Sequence, residues 1–141
     1  MTWQVGNNAS FTKTITETDV VLFAGISGDT NPVHINEEYA KKTRFKGRIA
    51  HGPYVTGLIG TVLGTKMPGP GTIYLGQTLK FTAPVHIGDT ITARCEITHI
   101  RTDKPIFTIA CLVMNHHQVK VMEGEAVVLY SPIEGLDVPI P

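Results

Sequence analysis

The sequence predicts an α+β domain in which an antiparallel sheet packs against one apolar helix. The second half of the chain alternates between apolar and polar residues, which is the period of strands with one buried face. Residues 51–67, HGPYVTGLIGTVLGTKM, are apolar on almost every side, which indicates a buried helix. Because a chain of 141 residues fits one domain, we expect residues 1–141 to form a single one.

The first half of the chain predicts a strand and two short helices ahead of the buried helix. Residues 9–16 suit the strand. A helix is expected to begin near Thr16, because TETD offers a hydroxyl cap with an acid three residues on. Gly28 is expected to end it, and residues 35–43, INEEYAKKT, suit the second helix.

The buried helix carries three glycines on one side, Gly57, Gly60 and Gly64. Each weakens a helix by roughly 0.8–1 kcal/mol relative to alanine. This cost predicts that a sheet or a ligand approaches that side closely. Pro53 suits the first turn, where its missing N–H costs nothing.

Strands account for most of the second half. They are expected within residues 78–83, 90–99, 106–114 and 119–131, and residues 72–79 suit an edge strand. The side chains expected to share apolar faces are Leu79, Phe81 and Ala83; Ile91, Ala93, Cys95 and Ile97; Phe107, Ile109, Cys111 and Val113; and Met122, Ala126, Val128 and Tyr130.

Composition limits the classes of partner. Lys and Arg together number 12, and Asp and Glu together also number 12, so the formal net charge is zero. No overall positive field therefore attracts nucleic acid or an anionic membrane. The two cysteines have no metal-ligand spacing and suggest reduced thiols in the cytoplasm. We see no signal-peptide pattern and no apolar run of transmembrane length. We therefore expect a soluble cytoplasmic protein whose partners are a small molecule and a second copy of itself.

The stretch SGDTNPVHIN, residues 27–36, combines a carboxylate, an amide and an imidazole in Asp29, Asn31 and His34. Pro32 disfavours helical geometry at Asn31, so the acid and the amide are expected in a turn. One interpretation is a polar turn held by local hydrogen bonds. The other is an active site.

The position of Gly52 favours the interpretation of residues 27–36 as part of an active site. Gly52 lies at the start of the buried helix, where free N–H groups and the helix dipole attract negative charge. One acid, one imidazole and one N–H donor suffice to add water next to a thioester carbonyl. No serine or cysteine nucleophile has an evident neighbouring base, which disfavours acyl-enzyme chemistry.

Several motifs together resemble one family. The stretch FAGISGDTNPVH followed by Ala40 resembles the signature of the (R)-specific enoyl-CoA hydratases of the MaoC-like, hot-dog-fold group. AHGPYVTGLIG, GTIYLGQTLKFTAPVHIGDTI, RTDKP and EGEAVV continue the likeness over nearly the whole chain. The resemblance implies a curved antiparallel sheet wrapped around one long helix, in a homodimer whose sheets join.

The same resemblance implies roles for individual residues. Asp29 and His34 would be the catalytic pair, Gly52 the N–H donor to the thioester oxygen, and Asn31 an orienting residue. The pair would hold a water over C3 of a trans-2-enoyl-CoA while a proton reaches C2, giving (R)-3-hydroxyacyl-CoA. Which of the two is the base stays open, with Asp29 preferred.

The basic residues of KKTRFKGR, together with a lysine in RTDKP, are candidates to bind the CoA phosphates. A solvated surface loop is the alternative for them. These residues are Lys41, Lys42, Arg44, Lys46, Arg48 and Lys104. Neither a cofactor nor a metal ion is expected, because the sequence contains no phosphate-binding glycine loop and no metal-ligand cluster.

Three alternative functions remain. The closest is the same chemistry on a carrier-protein-bound enoyl chain. The others are a hot-dog thioesterase and a non-catalytic acyl-CoA-binding module. The resemblance leaves the acyl length open, and the pathway too, since the product serves either polyhydroxyalkanoate synthesis or fatty acid metabolism.

Overall fold

The computed structural model of the chain describes residues 2–135. The elements in chain order are β1 (Asn8–Thr14), α1 (Glu17–Ser27), α2 (Pro32–Ile35), α3 (Glu37–Ala40), α4 (Gly52–Thr65), β2 (Thr72–Phe81), β3 (Thr90–Ile100), β4 (Ile106–Asn115) and β5 (Lys120–Tyr130). Among these residues, no helix is both long enough and apolar enough to span a membrane.

The five strands form one antiparallel sheet in the order β1-β3-β4-β5-β2. Helix α4 contacts the edge strands β1 and β2 as well as the interior strand β3. Five strands laid flat would span about 19 Å, wider than a helix of about 10–12 Å, so the sheet must curve around α4 to make these contacts. The predicted α+β fold, a curved sheet wrapped around one long helix, is confirmed, as is the edge position of residues 72–79.

The predicted apolar faces form the core on one side of the sheet. Every predicted residue on β3 and β4 is buried, and on β5 Met122, Ala126 and Val128 are buried. Cys95 and Cys111 are register partners across β3 and β4, and both are buried free thiols. Edge strand β2 differs, because Phe81 keeps 50% of its surface exposed.

The predicted ends of α1 are confirmed. Thr16 Oγ1 accepts from the Asp19 N–H at 3.1 Å, and the Asp19 carboxylate accepts from the Thr16 N–H at 2.9 Å, so the two form a capping box. Gly28 has a left-handed backbone, with φ of 79°, and its N–H donates to the Ala24 carbonyl at 2.9 Å.

The prediction of a single helix over residues 35–43 is wrong. The chain instead forms two one-turn helices, α2 from Pro32 to Ile35 and α3 from Glu37 to Ala40, and they are separate because Asn36 has an extended backbone and its side chain caps α3. The Asn36 side-chain oxygen accepts from the Tyr39 N–H at 3.1 Å. His34 lies inside α2.

Gly57, Gly60 and Gly64, the three glycines on one side of α4, are not explained by contacts within the described part of the chain. A methyl group built at Gly57 or Gly64 would meet nothing within 4 Å, and one at Gly60 would only touch the Tyr74 ring at 4.0 Å. The close approach predicted for this side of the helix is therefore absent from residues 2–135.

Candidate active site

A series of hydrogen bonds between residues close in sequence positions Asp29 after the end of α1. The Asp29 N–H donates to Ser27 Oγ at 3.2 Å, and Asp29 Oδ1 accepts from the Asn31 N–H at 3.2 Å. Asn31 Oδ1 in turn accepts from the Val33 N–H at 3.2 Å and caps α2. These are the local bonds that a polar turn requires, and they leave Asp29 Oδ2 free to act elsewhere.

His34 is buried in α2, and its ring orientation is fixed by one strong hydrogen bond. Its Nδ1 lies 2.7 Å from the Ile49 carbonyl oxygen. Because a carbonyl oxygen only accepts, Nδ1 must carry the hydrogen, and the lone pair of the neutral ring is on Nε2. Nε2 lies 3.9 Å from Asp29 Oδ2. The structure thus brings the two predicted catalytic residues together.

The separation of 3.9 Å suits a bridging water. It exceeds the roughly 2.7–3.2 Å of a direct hydrogen bond, whereas one water bonded to both atoms at about 2.8 Å would fit. The Asp29 side chain is 48% exposed and His34 only 10%, so the pair lies between solvent and the interior. The geometry can hold and polarise one water molecule.

A cavity of about 360 Å³ borders the pair on the side of His34. His34 and Gly52 line it together, and Asp29 is not among its lining residues. Most of the remaining wall is apolar and consists of Phe45, Ile49, Ala50, Val55, Phe81, Ala83, Pro84, Val85 and Val121. Such a space accepts an apolar chain whose polar end reaches His34 and Gly52.

Gly52 is the first residue of α4, so its N–H has no partner within the helix. The Phe81 ring covers this position, and a methyl group at residue 52 would lie 2.8 Å from its Cζ atom. Only glycine therefore fits beneath this ring without moving it. Sequence reasoning found Gly52 but not Phe81, because nothing in the strand pattern shows which side chain reaches the helix terminus.

His51, the residue before Gly52, lies against the pair. It precedes α4 at the N-cap and is 1% exposed. Its ring stacks on that of His34 with centroids 3.8 Å apart, and its Nε2 lies 2.9 Å from the Asp29 carbonyl oxygen. The only sequence feature that pointed to His51 was its position next to Gly52. That position does not reveal that the His51 ring stacks on the His34 ring.

The six basic candidates for CoA binding have different surroundings. Arg44 lines the cavity, while Lys42, Lys46 and Lys104 are exposed. Lys41 pairs with Glu38 at 2.7 Å. Arg48 is engaged within the protein, since its guanidinium donates to the His34 carbonyl at 2.7 Å and to Glu17 at 2.6 Å.

Asp29, His34 and His51 bring ligand atoms within 4.8 Å of one another. Tetrahedral zinc with bonds of about 2.0–2.1 Å needs donor atoms about 3.3 Å apart. Asp29 Oδ2 and His34 Nε2 lie 3.9 Å apart, which is wider than this spacing. The present arrangement suits a water between Asp29 and His34 better than a metal ion.

Comparison with known proteins identifies the family. Residues 4–118 match the model of the MaoC-like domain, so the chain belongs to that family. The (R)-specific enoyl-CoA hydratase of Rhodospirillum rubrum is 52% identical over 124 residues, which cover 88% of this chain and 85% of the relative. The 3-hydroxybutyryl-CoA dehydratase of Methylorubrum extorquens is 45% identical over 134 residues, covering 95% and 85% of the two chains.

Solved structures show the same fold. The (R)-hydratase of Aeromonas caviae, described as involved in polyhydroxyalkanoate biosynthesis, superposes with a TM-score of 0.89 and 39% identity, covering 91% of this chain and 97% of the other. An R-hydratase of Pseudomonas aeruginosa superposes with a TM-score of 0.88 and 41% identity, covering 99% and 92%. The chain has the hot-dog fold of these hydratases.

Proposed function

We propose that this chain is an (R)-specific enoyl-CoA hydratase that converts trans-2-enoyl-CoA to (R)-3-hydroxyacyl-CoA and catalyses the reverse dehydration. The observation that carries the proposal is the distance of 3.9 Å between Asp29 Oδ2 and His34 Nε2, beside an apolar cavity that also reaches Gly52. The names of the relatives that are 52% and 45% identical support the same reaction.

The mechanism assigns one role to each group. Asp29 and His34 hold a water against C3 of the enoyl chain, and Asp29 accepts its proton as the oxygen bonds to C3. The π electrons of the C2–C3 double bond shift to the thioester oxygen, where the Gly52 N–H stabilises the negative charge. In the same step His34 Nε2 takes that proton from Asp29 and passes it to C2 on the same face, while the electrons at the thioester oxygen return to re-form the C=O bond. Water is added in one step, with Asn31 holding the Asp29 loop.

The CoA portion is proposed to lie along the basic segment at the mouth of the cavity. Arg44 lines that cavity, and the exposed cations Lys42 and Lys46 lie on the same segment. Guanidinium and ammonium groups suit the phosphates of CoA. Lys41 and Lys104 remain in the proposed set, whereas Arg48, held by His34 and Glu17, would have to leave these partners to join it.

A carrier-protein substrate is the second candidate. It is favoured by a mitochondrial 3-hydroxyacyl-[acyl-carrier-protein] dehydratase of Arabidopsis thaliana, 30% identical over 137 residues. The same pair and cavity would serve either thioester, because the carriers differ only beyond the acyl chain. The relatives of higher identity name CoA thioesters, so we place CoA first.

The deciding experiment mixes purified protein with crotonyl-CoA and follows the absorbance of the conjugated thioester together with free thiol. The absorbance should fall without thiol release, and chiral chromatography should identify (R)-3-hydroxybutyryl-CoA. Thiol appearing at the same rate would identify a thioesterase, and no change in either signal would contradict catalysis. A parallel reaction with crotonyl-carrier protein ranks the two substrates by kcat/KM.

We further propose that residues 1–141 act as one domain, in a cytoplasmic homodimer. The free buried thiols Cys95 and Cys111 fit a reducing compartment. Edge strand β2 exposes Ile73, Tyr74 and Leu75 by 50%, 42% and 52%. An apolar sheet edge of this kind is suited to pairing with its own copy across a two-fold axis.

A further inference from the structure

His51 contacts both members of the proposed catalytic pair, through two different parts of its ring. The ring face lies on His34, with an interplanar angle of 25° and centroids 3.8 Å apart. The ring edge reaches the backbone of Asp29, with Nε2 2.9 Å from the carbonyl oxygen. Among the described residues, this side chain links Asp29 and His34 across the turn that separates them in sequence.

The hydrogen bond fixes the tautomer of His51. Because the Asp29 carbonyl only accepts, His51 Nε2 must carry the hydrogen. Nδ1 is buried and has no hydrogen-bond partner within residues 2–135. A second hydrogen on Nδ1 would therefore bury a donor without an acceptor, which proteins rarely tolerate. His51 and His34 are thus expected to be opposite tautomers, stacked face to face.

The surroundings of His51 keep it away from the substrate. It is 1% exposed and is not among the residues that line the cavity. Phe23 of α1 packs near its ring, with centroids 4.8 Å apart. His51 therefore acts on the reaction only through the residues it holds, since nothing in this geometry lets it touch the reacting atoms.

We propose that His51 is a positioning residue for the Asp29–His34 pair. Its Nε2–H holds the backbone of Asp29, and its ring face fixes the plane of the His34 imidazole. Together with the bond from His34 Nδ1 to the Ile49 carbonyl, this sets the distance across which the water is held. The inference rests on the proposed hydratase function and adds a residue to it.

Two substitutions separate the two contacts. His51→Gln keeps an N–H donor for the Asp29 carbonyl but removes the ring, and His51→Phe keeps a ring but removes the donor. Since a misplacement of about 1 Å costs up to about 10²-fold in rate, each variant should lose about 10–100-fold in kcat for crotonyl-CoA hydration. KM should stay within about three-fold, because His51 lies outside the cavity.

His86→Gln is the matched control. His86 is also partly buried, and its Nε2 bonds to a backbone carbonyl, that of Phe45, at 2.7 Å. It makes no hydrogen bond to Asp29 or His34, so His86→Gln should lower the melting temperature while kcat stays within about three-fold of wild type. Folded His51 variants with kcat within about two-fold of wild type would overturn the proposal.

A second comparison excludes a merely structural role. In an Asp29→Asn background, His51→Gln should lower kcat by less than about three-fold, because the two changes act on one unit. An equally large loss in both backgrounds would contradict positioning. A wild-type protein without hydratase activity would instead refute the proposed function, so the two failures are distinguishable.

A measurement on the wild-type protein tests the geometry even if both variants fail to fold. Nitrogen-15 NMR of labelled histidines reports which ring nitrogen carries hydrogen. We expect hydrogen on Nε2 of His51 and on Nδ1 of His34. Hydrogen on Nδ1 alone in His51 would mean that the bond to Asp29 is absent, and the proposal would fall.

Discussion

Asp29 provides the sharpest test at the scale of single residues. Asp29→Asn keeps the size of the side chain and an oxygen for the Asn31 N–H, but it removes the basicity. Because general acid–base groups supply about 10²–10⁴-fold, kcat should fall by about that factor. KM should change far less, since CoA is held elsewhere. Steady-state kinetics with crotonyl-CoA measures both constants.

Asp103→Asn is the control for this substitution. Asp103 is an exposed carboxylate whose pKa is lowered chiefly by its hydrogen bond to Arg101. The substitution Asp103→Asn should leave kcat for crotonyl-CoA unchanged. If the Asp29→Asn protein is folded and its kcat is within a few-fold of wild type, residues 27–36 are only a polar turn.

His34 should behave as part of the same unit. His34→Ala should lose about as much kcat as Asp29→Asn, because either change removes one of two partners of the same water. The double variant should be far less than multiplicatively worse. Circular dichroism of all three variants should stay near that of the wild type. Fully multiplicative losses would indicate that the two side chains act independently.

Removal of metal ions is a further test of the site. Asp29 and His34 are proposed to hold water and not a metal ion, so activity should survive dialysis against a strong chelator. The measurement compares kcat before and after dialysis, with and without added zinc. Activity that is lost and then restored by a metal ion would reassign Asp29, His34 and His51 as ligands.

The sequence pointed more clearly to the candidate reacting residues than to the residues that hold them in place. Asp29, Asn31, His34 and Gly52 are recognisable because their residue types and spacing carry the signal. His51 and Phe81 are not, since their roles arise from contacts across 22 and 29 residues, which no local pattern encodes. A sequence therefore reveals candidate reacting groups more readily than the groups that hold them in place.

At the scale of elements, Gly124 controls how β2 attaches to the sheet. It lies opposite Leu79, and a methyl group there would lie 2.7 Å from the Leu79 Cα atom and collide with the Thr78 carbonyl oxygen. Gly124→Ala should therefore push β2 away from β5 and destabilise the protein by about 1–3 kcal/mol or more. Urea unfolding measures the change.

Gly25→Ala in α1 is the matched control. A methyl group at Gly25 meets nothing within 4 Å, and the position is helical. Alanine should raise the free energy of unfolding by about 0.5–1 kcal/mol there. Equal effects at the two glycines would show that the close approach at Gly124 is unimportant.

Element prediction succeeded where one local rule decided the outcome. The capping box at Thr16 and the left-handed Gly28 follow from residue type alone, and the buried faces of β3 and β4 follow from alternation. The division between α2 and α3 was missed because Asn36 could either continue a helix or cap the next one. Its side chain caps, and the helix breaks there.

For the whole molecule, the testable property is association. Ile73→Lys combined with Leu75→Lys places charges on the exposed edge strand β2. A two-fold axis would bring the lysines of one edge against the same charged edge of the partner, so the dimer expected of the wild type at micromolar concentration should dissociate. Sedimentation equilibrium measures the mass.

Val119→Lys is the control for association. Val119 is 45% exposed in the turn between β4 and β5, at the opposite end of β5 from Leu129, the register partner of Ile73, and its replacement should leave the mass unchanged. A wild-type protein that is monomeric at micromolar concentration and fully active would contradict the homodimer.

The facing cysteines of β3 and β4 have a practical consequence. Cys95 and Cys111 are both buried, so a reagent in solution reaches neither sulfur. Hydrogen bonding to Cys111, together with burial, also raises the pKa of the Cys95 thiol, whereas the hydrogen bond to Cys95 lowers the pKa of Cys111, whose protection therefore depends on burial. The folded chain should thus be silent toward alkylating reagents, and labelling should occur only in molecules that have opened. When the opened sheet recloses faster than it is labelled, the labelling rate reports the equilibrium between closed and open molecules. Labelling of these cysteines therefore measures the free energy of opening the sheet. The same silence means that any thiol colour in the crotonyl-CoA assay comes from released CoA.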